Sequence, residues 1–497
     1  MSKNSDISDA GLSKEQLNGK GSSVQLKREL GLFSAINMIL GVMIGSGIFV
    51  SPASALQESG SVGMCIIVWI VCGVISLLGA LAFAELGTVV VKSGAEYAYF
   101  LESFRALHKF WGAVPSFVCS WVYVVALRPA EVAIILLTFA EYFAQPILDL
   151  VGITDPASGD NVKKLVALLA LATITYINMY SVKLYIKIQN MFSSFKVIAC
   201  LIVICGGIYE LIIGHTENLS RGFEGTNYNP KNMALAFYSG LWAYDGWSAV
   251  TVVTEEVKKP EINIPRSIII SVPLVTGLYV FMNIAYMTAL SVPEMVNAQA
   301  VAVTFGERVL GPLAFTIPIG VVLSTFGCAL SVQFGVTRLC YVAGQEGHMV
   351  ECFSYVHMRR LTPAPAVAFQ GILTFLFIIT GNILELIEFA SFLVWIFYGL
   401  AMVALLILRK TKKDVPRPYT VPTWIPVFII LVATFLATVP IITDPSPHYL
   451  FALGFIVIGI LVYYWFIYKH NRPSWMDKAT KYVQLLFEVV PPNTHNE

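Results

Sequence analysis

Twelve runs of predominantly apolar residues punctuate the chain, near 33–56, 62–90, 112–144, 163–182, 186–213, 231–255, 266–290, 312–343, 364–380, 384–408, 421–441 and 448–468. Hydrocarbon about 30 Å thick needs roughly 20 residues of helix to cross it, and these runs match that length. Each unpaired backbone group in lipid costs several kcal/mol, so such runs are predicted to be helices. The pattern predicts an all-α polytopic membrane protein with about twelve transmembrane helices.

Composition agrees: of 497 residues 57% are hydrophobic and 13% charged, too little polar surface to cover soluble domains of this size. The net charge of +1 points to no nucleic-acid partner. No GxxxxGK[ST] loop is present, which excludes ATP-driven work by this chain. The seven histidines and eight cysteines lack metal-ligand or disulfide-framework spacing, so no metal, no cofactor and no enzyme chemistry is expected.

Charge placement sets orientation. With the N-terminus in the cytosol, 25 of the 32 Lys and Arg fall in inner segments and five (Lys163, Lys164, Arg221, Lys231, Arg308) in outer ones. That asymmetry predicts both termini cytosolic. Residues 1–30 are polar, without the apolar core of a signal peptide, and are read as a disordered cytoplasmic arm. Residues 31–468 are read as one twelve-helix membrane domain. In the tail, 469–497, Trp475, Ala479, Tyr482, Leu485, Leu486 and Val489 recur at helical spacing and predict a helix lying on the inner membrane surface.

Two spans carry signs of a break. Span one contains GVMIGSGIFVSP with Gly41, Gly45 and Gly47, and Gly45-Ser46-Gly47 is a poor stretch in which to continue a helix. Five spans on, GLWAYDGW (240–247) puts Gly246 and the acid Asp245 inside an apolar run. Interrupted helices at corresponding places of two five-helix halves point to a transporter's substrate site. The freed N–H groups at Ser46, Gly47 and Ile48 can hold a carboxylate. Carbonyls around Met43, Trp242, Ala243 and Asp245 can accept from an ammonium group, and an α-amino acid offers both.

At these residues the chain resembles the light subunits of the heteromeric amino acid transporters, in the amino acid, polyamine and organocation superfamily. The likeness runs from Leu26 to Pro492 and includes GSGIFVSP (45–52), GALAFAELGT (79–88), KSGAEYAY (92–99), TEEVKKPEINIPRSI (254–268), AVAVTFGERVLG (300–311), YVAGQEGHM (341–349), RRLTPAPA (359–366) and EVVPP (488–492). The branch most similar exchanges cystine and basic amino acids for neutral ones. The resemblance implies five plus five inverted helices and two more, working as a sodium-independent exchanger of L-amino acids in the plasma membrane. It places the substrate among Met43, Ile44, Gly45, Ser46, Gly47, Trp242, Ala243, Tyr244 and Asp245, with Trp242 as the aromatic that closes over it.

Three charges lie at membrane depth, where each is costly and function is the working assumption. By the resemblance, the Lys196 ammonium stands where related sodium-driven carriers bind a cation. Asp245 would attract the side-chain cation of arginine, lysine or ornithine. Arg128 precedes Pro129, with Glu131 three residues on, and the sequence leaves open whether it is functional or paired with Glu131. The family's linking cysteine, in the outer loop between spans three and four, is missing: no cysteine occurs between Cys119 and Cys200. A single-pass glycoprotein heavy chain is therefore expected to associate, if at all, without a covalent bond. Asn218-Leu219-Ser220 is a glycosylation sequon in the outer loop after span five. Two rival readings stay open, a proton-coupled symporter on the same fold and an amino-acid sensor.

Overall fold

The computed structural model describes residues 30–491, apart from Ser93, 153–154, 255–256, Gln299, Leu361, 444–446 and 472–473. The N-terminal arm up to residue 29 and the end of the tail, 492–497, lie outside the described residues.

Span one is split into α1 (Leu32–Met43) and α2 (Gly47–Ser59), which meet at a bend of 47°. Span two is α3 (Val62–Val89), opened by Ser61, whose hydroxyl accepts from the Met64 N–H. A short helix, α4 (Glu96–Phe104), precedes span three, which comprises α5 (Val114–Val122), a π-helical turn (Tyr123–Leu127) and α6 (Arg128–Val151). Pro129 lacks an N–H and its ring crowds the carbonyl one turn back, and the widened turn just before it accommodates both effects. Spans four and five are α7 (Pro156–Tyr180) and α8 (Val182–Ile212). Each starts under a side-chain cap, Asp155 accepting from the Ser158 N–H and Ser181 from that of Leu184.

After the short α9 (Glu217–Ser220), span six consists of α10 (Pro230–Ala243), non-helical turns, and α11 (Ala249–Val252). Span seven is α12 (Pro260–Ala289), followed by α13 (Val292–Asn297) and α14 (Val301–Val309). Span eight is α15 (Thr316–Gln345), and α16 (Ala364–Thr380), α17 (Ile383–Thr411), α18 (Trp424–Thr443) and α19 (Pro447–Val462) supply the last four. Among the described residues nine helices are long and apolar enough to cross a membrane. With the bent α1–α2 pair, the 17-residue α16 and the interrupted α10–α11, they account for the twelve expected spans. The expected outer loop at 144–161 is shorter than the apolar pattern implied, because α6 continues to Val151 and the Asp155 cap starts α7 at once.

The halves of span one pack with spans six and seven, α2 against α10 and α1 against α12, while α3 lies along α12. Span eight fits between α6 and α8. The two breaks therefore face each other inside the bundle. The tail helix forms as α20 (Ser474–Phe487), with Tyr482, Leu485 and Leu486 exposed and Val483 and Phe487 packed toward Cys352, Tyr355 and Ala364. Beyond it β2 (Val489–Val490) pairs antiparallel with β1 (Val356–His357), a tie the hydrophobic pattern did not predict.

Candidate substrate site

Span one comes out of helix after Met43, where the Ile44 N–H still reaches Leu40 O and the Gly45 N–H turns back to Met43 O at 2.8 Å. Helix resumes at Gly47, and the first N–H groups of α2 have no intrahelical partner. Span six leaves helix after Ala243, and Gly246 takes φ 105°, a backbone in which a side chain is strained. The two breaks touch. A Cβ on Gly47 would lie 2.3 Å from Ala243 Cα, and one on Gly246 would lie 2.5 Å from Val42 Cγ1.

The carbonyls released by the breaks are met by side chains from three other spans. The Tyr279 hydroxyl, on α12, lies 2.6 Å from Met43 O and 3.1 Å from Ala243 O. Ser324 Oγ donates to Ile44 O at 2.9 Å, and Cys328 Sγ to Val42 O at 3.4 Å, both from α15. The Lys196 ammonium, 1% exposed on α8, donates to Gly41 O. Of the four carbonyls assigned to an ammonium group, Met43 and Ala243 thus share Tyr279, and Trp242 O accepts from the Asp245 N–H at 3.2 Å.

Asp245 is held on both oxygens. Tyr398 Oη, on α17, donates to Oδ1 at 2.5 Å, and Arg128 Nη1 stands 3.7 Å from Oδ2. The same Arg128 nitrogen donates to Glu131 Oε2 at 2.5 Å, and its guanidinium lies 5.1 Å from the Tyr123 ring centre. Arg128 therefore pairs with Glu131 and also stands near the acid in the break. Next to this group lies a cavity of about 10 Å³, room for about one water, lined by Arg128, Glu131, Trp242, Asp245, Ser391 and Trp395 among others. The site is closed to anything as large as an amino acid.

Among the expected binding residues, Met43, Ile44, Gly45, Ser46 and Gly47 form the first break, and Ser46 is 2% exposed. Trp242 lines the cavity with a buried, unpartnered Nε1. Tyr244 faces the other way, donating to Trp69 O at 3.1 Å and packing against the Trp69 and Tyr279 rings, so only its main chain belongs to the break. Tyr279, Ser324, Cys328, Ser391, Trp395 and Tyr398 were missed. Their only signal is a polar or aromatic group inside an apolar span, and nothing in the sequence says which face it takes.

Two interrupted spans pressed together in mid-bundle, with unpaired helix-start N–H groups on one side and an acid on the other, define a membrane transporter for small charged solutes. Residues 30–467 match the family model described as amino acid permease. The b(0,+)-type amino acid transporter 1 of Mus musculus is 43% identical over 96% of this chain and 96% of its own length. The cystine/glutamate transporter of Homo sapiens is 40% identical over 94% and 92%. The large neutral amino acids transporter small subunit 2 of Mus musculus is 37% identical over 94% and 86%. The chain belongs to the amino acid permease family, and it is a transporter of amino acids rather than an enzyme.

Proposed function

We propose that this protein exchanges neutral and basic L-amino acids across the plasma membrane without sodium, by alternating access, with cystine as a further candidate substrate. The observation that carries the reading is the Asp245 carboxylate beside the span-six break, held by Tyr398 at 2.5 Å and facing Arg128 at 3.7 Å. Arg128 is already committed to Glu131, so Asp245 keeps enough negative charge to take the side-chain cation of arginine or lysine. The N–H groups of Ser46 and Gly47 would hold the substrate carboxylate, and the carbonyls of Met43 and Ala243 its ammonium group once Tyr279 yields them. Trp242 would close over the substrate. The Lys196 amine occupies Gly41 O beside span one, which disfavours a sodium ion there.

The basic-residue asymmetry supports a cytosolic position for both termini. One of the relatives is named a small subunit, which supports association with a larger partner chain. With no cysteine between Cys119 and Cys200, that association would be non-covalent.

The test is reconstitution of the full chain in liposomes preloaded with leucine, with arginine or with nothing, following labelled arginine and leucine with and without sodium or a pH gradient. Exchange predicts uptake only into loaded vesicles, unaffected by sodium. Equal uptake into empty vesicles would replace this reading with a uniporter or, if a pH gradient drives it, a proton symporter. Asp245→Gly should lower arginine uptake about tenfold more than leucine uptake, the worth of one charge-assisted contact.

A further inference from the structure

Glu96 opens α4 straight after Gly94, at φ 108°, and Ala95, at φ 44°, a left-handed backbone that residues with a side chain rarely adopt. The result of this strained turn is a carboxyl turned into the protein. Glu96 is 4% exposed, and its Oε1 has no hydrogen-bond partner among the described residues. A buried polar atom left unpaired is unfavourable and calls for an explanation. Its electrostatic neighbours come from every side: Tyr99 on its own helix, Cys119 on α5, Tyr123 on the π turn, Arg128, Asp245 in the span-six break, and Tyr398 on α17. The single cation among them, Arg128, is bonded to Glu131 and faces Asp245. Arg128 thus answers Glu131 and Asp245 at close range and reaches Glu96 through its field.

Between spans two and six on one side and α4 and span ten on the other lies a knot of aromatic rings. Phe83 sits 4.7 Å from Trp247, 5.8 Å from Tyr99 and 5.6 Å from Tyr398 by ring centres, and Trp247 sits 4.7 Å from Tyr398. Phe83 and Trp247 belong to spans two and six, span two packing along the halves of the broken spans, and Tyr99 and Tyr398 belong to α4 and span ten.

We infer that Glu96 is a second cation-binding carboxylate, on the cytosolic side of Asp245, which receives the guanidinium or ammonium side chain of a basic amino acid when Phe83 and Trp247 withdraw with spans two and six. The inference rests on the proposed exchange of basic for neutral amino acids. Glu96 lies in the segment between spans two and three, which the positive-inside count assigns to the cytosol. It is a seat left without a cation while the site is closed, and a passing side chain supplies one. A neutral substrate has nothing to place there, so Glu96 separates basic from neutral amino acids on the inner side alone.

The test uses cells expressing the full chain, or its Glu96→Gln or Glu96→Asp variant, loaded with graded internal arginine or internal leucine, and follows uptake of labelled leucine. In Glu96→Gln the internal arginine needed for half-maximal exchange should rise about tenfold. Internal leucine and external arginine should each stay within twofold, and Glu96→Asp should keep the arginine preference. An unchanged internal arginine dependence in Glu96→Gln overturns the inference. So does an equal loss of arginine and leucine exchange in both variants, which would make the carboxyl a packing element. Failure of the unsubstituted chain to exchange arginine at all would instead sink the exchange reading, and this inference with it.

Discussion

The hydroxyl of Tyr279 lies 2.6 Å from the carbonyl oxygen of Met43, the last helical residue before the break in span one. At 3.1 Å from Ala243 O it also reaches the end of α10, so one phenol joins the ends of both interrupted spans. It occupies the carbonyls that a substrate ammonium group would use, and in doing so holds the closed site together. Tyr279→Phe keeps the ring packing against Trp69 and Tyr244 and removes only the hydroxyl. A neutral hydrogen bond is worth about 1 kcal/mol net, which corresponds to roughly a fivefold change in rate. The maximal exchange rate should fall five- to tenfold with surface expression unchanged, measured as leucine uptake per surface-labelled protein. A rate equal to that of the parent would show the bridge to be incidental.

The close approach of the two breaks gives a second prediction. A methyl group on Gly47 meets Ala243 Cα at 2.3 Å, and the obstacle is backbone, which cannot rotate aside. Overpacking of this kind costs about 1–3 kcal/mol, and here it separates the two parts of the site. Gly47→Ala should reduce exchange below a tenth of the parent. Gly277→Ala, in α12 with nothing within 4 Å of the added Cβ, should leave exchange within twofold and stabilise the helix slightly. Equal behaviour of the two variants in the same uptake assay would contradict the packing of the breaks.

These contacts mark how far the sequence could be read. The glycines around Ser46 and the acid in GLWAYDGW announced the breaks because backbone freedom and a buried charge are unusual in a span whatever its rotation. The run at 364–380 agrees with α16 to the residue, since Pro363 and Gly381 bound it. Tyr279 and Tyr398 stayed hidden for the opposite reason: their helices are apolar nearly all round, so periodicity does not show which face looks inward. Tyr244 carries the same lesson in reverse, a residue in the right motif whose side chain points at Trp69. The β1–β2 pair joins segments far apart in the chain, and two-residue strands leave no pattern to detect.

Between α13 and α14, Arg308 and Glu294 form a two-pronged pair at 2.6 and 3.0 Å, and Glu294 also accepts from the Ser291 N–H at 2.8 Å. Hydrogen bonding to Arg308, with Ser291 adding to it, lowers the Glu294 carboxyl from 4.5 to about 2. A folded value below the unfolded one means the stabilisation is complete above pH 4.5 and fades as pH falls toward 2. The pair is largely exposed and worth under about 1 kcal/mol. Glu294→Gln should therefore lower the thermal unfolding midpoint slightly, and by the same amount at pH 7.5 and pH 5.5. The absence of a gap at both pH values would mean that the carboxyl gains nothing from Arg308 and the pair does not form.

A stronger lock ties α3 to α17. Glu85 on α3, 0% exposed, accepts from Arg409 at 2.5 and 2.9 Å, from Arg417 at 3.2 Å and from the Val421 N–H at 2.9 Å. Arg409 ends α17 and Arg417 follows it, so this carboxylate fastens span two to span ten and the loop beyond. Removing the acid would leave two guanidiniums facing each other with neutral acceptors such as Leu408 O, Val421 O and the Thr423 hydroxyl to answer them. Breaking one side of a buried ion pair costs about 3–5 kcal/mol, far more than the pair itself contributes. Glu85→Gln should therefore lose about 3 kcal/mol or more in chemical denaturation, and Glu85→Asp, which keeps the charge with a shorter reach, should lose less. If span two must part from span ten for substrate to leave inward, the Gln variant that still reaches the membrane should also favour the inward-open form. Its inner-side residues would then react faster with a membrane-impermeant thiol reagent at a cysteine placed at Phe83. Parent-like stability together with parent-like labelling would show that Glu85 neither braces the fold nor restrains its motion.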